Sequence, residues 1–72
     1  MNYNPKPLTK LEIEYLTLLA KGLKKFEIAN LYGVSEDTVV AHFKKIYRKM
    51  RVHNAAEAVY EAFITGYLKV PE

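Results

Sequence analysis

The chain has 72 residues, half of them apolar, and a net charge of +3, which bounds it to one small folded domain and argues against disorder. It holds no cysteine, so disulfides and thiolate metal sites are excluded. No apolar run approaches the ~18 residues of a membrane span and no signal peptide precedes the fold, so no membrane partner is expected and a cytoplasmic location is the default.

Residues 1–7, with Pro5 and Pro7 opposing helix, read as an N-terminal tail. Thr9 followed by Glu12 has the spacing of a capping box, in which hydroxyl and carboxylate each take a free backbone N–H. It opens a helix of about Lys10 to Lys21 whose inward face is Tyr15, Leu16, Leu19 and Ala20, stopped at Gly22. A second helix, about Lys25 to Tyr32, has no recognisable cap. It turns Ile28, Ala29 and Tyr32 inward and ends at Gly33. Ser35 caps a third helix, Glu36 to Met50, with Glu36 and Asp37 in the first turn, where the helix dipole favours negative charge. Its buried stripe is Val39, Phe43, Ile46 and Met50. Asn54 with Glu57 repeats the capping-box spacing and opens a fourth helix, Ala55 to Thr65, burying Ala55, Val59, Ala62 and Phe63 before Gly66. Residues 69–72, with Pro71, form a C-terminal tail. The expected fold is all-α: a compact four-helix bundle over 8–68, in which the short turn Gly33-Val34-Ser35 makes a helix-turn-helix.

Charge distribution carries the functional reading. Between Thr38 and Ala56 there is no Asp or Glu, while Lys44, Lys45, Arg48, Lys49 and Arg51 all fall there with His42 and His53. A one-sign segment of this kind is the footprint of a phosphate backbone. If helix 3 buries its apolar stripe, the opposite face carries Asp37, Val40, Ala41, Lys44 and Arg48, with Lys45 beside them. Lys44 and Arg48 can reach guanine acceptors or phosphates, and the small apolar Val40 and Ala41 can touch thymine methyls. His42 and His53 stand apart with no carboxylate or thiol companion, so no metal site is expected. A single Ser, serving as a cap, and the lack of a glycine-rich phosphate loop leave no catalytic constellation. Neither a cofactor nor a small-molecule substrate is expected.

The same residues resemble the LuxR/GerE-type helix-turn-helix domain across nearly the whole chain. The matching stretches are Leu8-Thr9 with Glu12; Leu16 with Leu18-Leu19-Ala20 and Gly22-Leu23; Glu27-Ile28-Ala29; Gly33-Val34-Ser35-Glu36; Thr38-Val39 with His42; Lys49; and Ala56-Glu57-Ala58-Val59 followed by Gly66. The resemblance implies a DNA-binding transcription factor domain, with helix 3 in the major groove and helix 4 making dimer contacts. It maps base contacts onto Val40, Ala41 and Lys44, to which the face reading adds Arg48. Backbone contacts fall on the start of helix 2 (Lys24, Lys25) and on the Lys45 to Lys49 region, with Ser35, Thr38, His42 and Arg51 as further candidates. The chain departs from the family pattern at Leu11 and Val40, where basic residues are common, at Arg51, where glycine is usual, and at Ala55, where arginine is usual. The initial Met and short tail favour a stand-alone chain over an excised piece.

Two apolar stripes exceed what one core needs. Tyr60, Ile64 and Tyr67 form one at i, i+4, i+7, read as a dimer interface for self-association on double-stranded DNA. Leu11, Tyr15 and Leu18 form the other, expected to lie under Tyr3 and the Pro5/Pro7 tail, or else under a partner. The competing functional class is a protein-interaction module, or a domain resembling those of sigma factors that contacts RNA polymerase, with the fold kept and groove reading lost. Apolar Phe26 and Leu31 support it.

Overall fold

The computed structural model describes residues 7–69. They fold into four helices, α1 (Lys10–Ala20), α2 (Lys25–Tyr32), α3 (Glu36–Met50) and α4 (Ala55–Ile64). The order and type match the sequence reading; α1 and α4 each stop one residue earlier than expected.

Each start has a local cause. Thr9 and Glu12 form the expected capping box: Glu12 N–H donates to Thr9 Oγ1 at 3.1 Å and Thr9 N–H to Glu12 Oε1 at 2.8 Å. Before α2, a carboxylate does the work that the sequence left unassigned. Glu27 Oε1 accepts the Lys24 N–H at 2.7 Å, while the Lys24 ammonium, having no acceptor, returns nothing. Ser35 Oγ accepts the Thr38 N–H, and Asn54 Oδ1 accepts the Glu57 N–H. The Glu57 carboxylate does not close a box on Asn54; it takes the His53 N–H one residue earlier, at 2.8 Å.

Two helix ends share one geometry with different residues. Gly33 ends α2 at φ 67°, ψ 33°, with Val34 N–H reaching back to the Ala29 carbonyl at 3.1 Å. Arg51 ends α3 at φ 58°, ψ 43°, with Val52 N–H on the Tyr47 carbonyl at 3.0 Å. Glycine adopts this left-handed conformation freely, whereas an L side chain adopts it at a cost of about 1 kcal/mol.

The core joins all four helices: Tyr15 and Leu16 from α1, Ile28 and Ala29 from α2, Val39, Phe43 and Ile46 from α3, Ala58 and Ala62 from α4. Leu8 and Leu68, outside the helices, close it at the chain ends. Tyr15 is its aromatic hub, with ring centroids 4.9 Å from Tyr32, 5.1 Å from His42 and 5.7 Å from Phe43. Several expectations need correction. Ala20 is exposed rather than inward, and Leu19, Tyr32 and Met50 pack against the core only half-buried. On α4, Ala58 and Ala62 are the fully buried residues, with Ala55, Val59 and Phe63 only partly covered. Tyr15 belongs to the core and not to an outer stripe, which leaves Leu11, 39% exposed, and the half-buried Leu18. The covering segment expected there, with Tyr3 and Pro5, lies outside the described residues.

Candidate nucleic-acid interface

The pairing of α2 with α3 is the most extensive between helices, so the helix-turn-helix is a packed unit. Val39, Phe43 and Ile46 fix which side of α3 is buried. The opposite side then presents Asp37, Ala41, Lys44 and Arg48 to solvent, with Lys45 exposed beside them. Val40 lies at the edge of this face, half-buried. At the head of α3 the Ser35 and Thr38 hydroxyls lie 2.9 Å apart and share a hydrogen bond. His42, half-buried, packs its ring against Tyr15 in a T-shaped contact.

The remaining basic candidates separate by environment. Lys24 is exposed and Lys25 half-buried at the head of α2. Lys21, exposed at the C-terminal cap of α1, extends that basic run and had not been singled out, although the spacing Lys21, Lys24, Lys25 is visible in the sequence. Arg51 is exposed in its left-handed turn.

Lys49 is placed differently from the expectation of a phosphate contact. Its Nζ lies 2.7 Å from Glu12 Oε1, and the two side chains are only 14% and 5% exposed. The ammonium is turned inward, toward α1, and is committed to a carboxylate that also caps that helix. Burial raises the Glu12 pKa, but the hydrogen bonds from Lys49 and Thr9 and the Lys49 charge outweigh it and hold the carboxyl below its usual 4.5. Partners 37 residues apart leave no periodic signal that a sequence reading can use.

On α4, Tyr60 and Ile64 are each 64% exposed. Tyr67 does not continue their stripe. It lies beyond the end of α4, after Gly66 at φ 88°, half-buried. Its hydroxyl accepts the Leu8 N–H at 3.2 Å. Beside Tyr60 an open apolar groove of about 550 Å³ runs between α1 and α4, lined by Leu19, Ala20, Ala55, Val59 and Phe63. A second groove, about 580 Å³, lies between α1 and α2 along Ile13, Thr17, Leu18 and Tyr32. At its edge Tyr32 donates to Glu14 at 2.7 Å. Burial and that carboxylate push the Tyr32 pKa up to about 12.

Among the described residues no group of three or more His, Cys, Asp or Glu could hold a metal ion, and no helix is long and apolar enough to cross a membrane.

Residues 6–62 match the family described as bacterial regulatory proteins, luxR family. The transcriptional regulatory protein YdfI of Bacillus subtilis is 40% identical over 67 residues, covering 93% of this chain and 32% of that protein. The transcriptional activator protein LuxR of Aliivibrio fischeri is 30% identical over 70 residues, 97% of this chain and 28% of that protein. Among solved structures, the response regulator ChrA of a heme-sensing two-component system superposes with a TM-score of 0.83 at 32% identity. The match covers 92% of this chain and 33% of ChrA. The chain thus spans about a third or less of the length of the relatives it matches.

Proposed function

The chain belongs to the luxR family of bacterial regulatory proteins, and from that premise we propose that it binds double-stranded DNA sequence-specifically, with α3 in the major groove and two copies paired through α4. The observation that carries the proposal is the outward side of α3. Lys44, Lys45 and Arg48 are exposed on a helix whose opposite side is locked into the core, with no acidic residue after Asp37. Val40, Ala41, Lys44 and Arg48 are the proposed base-edge residues. Lys24, Lys25, Ser35, Thr38, His42, Lys45 and Arg51 are the proposed backbone set. Lys49 is left out of that set because its ammonium is held by Glu12.

The test is selection of bound sequences from random duplex DNA, with affinity then followed against salt. A recovered consensus and a log–log salt slope of several units support the reading. Uniform weak binding without a consensus counts against it.

Pairing rests on Tyr60 and Ile64 and the adjoining groove, an exposed apolar surface on a short helix. Isologous contact there would serve half-sites one helical turn of DNA apart, about 34–36 Å. Replacing Ile64 with Glu leaves the core untouched and should sharply weaken binding to a two-half-site duplex while sparing one half-site. Equal affinity of both proteins for the longer duplex removes α4 from the interface. A second contact, with a protein partner such as RNA polymerase, is favoured by Phe26 and Leu31 on α2, which are 49% and 65% exposed. Cytoplasmic location follows from the same reading as a regulator.

A further inference from the structure

Along the outward side of α3 the chemistry changes in a fixed order. Exposed Asp37 comes first, then half-buried Val40 and exposed Ala41, then exposed Lys44 and Arg48. At 1.5 Å rise per residue, each change lies about 5–6 Å beyond the last, or roughly one and a half base-pair steps.

The middle section carries no donor and no acceptor. Pressed against a base edge, it strips water from donors and acceptors there without replacing it, which is costly. The major-groove group that an apolar surface complements is the C5 methyl of a pyrimidine. Lys44 follows Val40 by four residues and Ala41 by three, so it stands over the same patch one turn on. Its ammonium only donates, so the base edge next to the methyl must offer an acceptor. Thymine presents its methyl beside O4. A 5-methylcytosine presents its methyl beside an amino donor, which would face Lys44 unpaired.

Resting on the proposed reading of α3 as the groove helix, we infer that Val40 and Ala41 make this chain a reader of thymine C5 methyl groups, with Lys44 on the O4 acceptor beside the methyl.

The test uses the whole chain and a duplex recovered by the selection above. Each thymine is replaced singly by deoxyuridine, which removes the methyl and nothing else. One or two positions per half-site should lose about fourfold in affinity, the worth of one buried methyl. The Ala41→Ser and Val40→Ser variants should then bind thymine and deoxyuridine duplexes alike. If Val40→Ser melts early, the deoxyuridine series on the unaltered protein still decides, because it changes no protein atom. Placing 5-methylcytosine opposite guanine at the sensitive position should not restore affinity, and full restoration overturns the assignment to thymine. If no deoxyuridine costs affinity while Lys44→Ala weakens binding, methyl reading is overturned and groove reading by α3 stands. If selection recovers no consensus at all, both fall together.

Discussion

The Glu12 carboxylate is held by two donors at once, the Thr9 backbone N–H and the Lys49 ammonium, in a site almost closed to water. Removing one partner strands the other, so Glu12→Gln and Lys49→Met should each lower stability by about 2–4 kcal/mol. The pH dependence has a defined sign. Folding depresses the Glu12 pKa below 4.5, so its contribution is present above pH 4.5 and is lost as pH falls through the depressed value. Thermal melts of the wild type and Glu12→Gln should therefore differ most near neutrality and converge on acidification; a constant gap contradicts the linkage. The same pair separates two lysines that look equivalent in sequence. Lys45→Ala should reduce the log–log salt slope of DNA binding by about 0.9. Lys49→Met, measured below its own melting temperature, should leave the slope unchanged. Arg51 offers an independent check on backbone strain. Because its φ is 58°, Arg51→Gly should be more stable than Arg51→Ala by about 0.5–1 kcal/mol.

At the scale of elements, what the sequence disclosed was what is local. The Thr9/Glu12 box, the Ser35 cap and the Gly33 turn are readable because their partners lie within a few residues. The α3 stripe is readable because 3.6-residue periodicity sorts one face from the other. The α4 stripe failed where periodicity was carried past the helix end. Tyr67 sits in the chain after Gly66, and its hydroxyl reaches Leu8, 59 residues away. Tyr67→Phe should accordingly cost about 1 kcal/mol without changing assembly on DNA, whereas Ile64→Glu should do the reverse. A Tyr67→Phe variant that loses pairing on DNA while keeping its melting temperature would return Tyr67 to the interface. The cap of α2, unlike its start, was missed for a different reason. Lys24 is no cap former, and the Glu27 carboxylate that takes its N–H acts from inside the helix.

For the whole molecule, the four helices and their core were legible because four apolar stripes on so short a chain have few ways to meet. The residues that lock α3 in place were less so. Leu8, Leu68 and the Glu12–Lys49 pair bring together segments far apart in sequence. The consequence is that α3 is held from behind by core packing and an ion pair, with its basic outer side left to solvent. DNA binding by this chain is proposed to rest on that outer side. The most direct test is the affinity of Lys44→Ala with Arg48→Ala for a selected duplex, against the wild type at the same salt and with thermal melts of both. The expected result is an unchanged melt and loss of sequence discrimination, with about 1–3 kcal/mol lost for each base contact removed. A double variant that melts like the wild type and still binds the selected duplex with the same affinity and preference would contradict it.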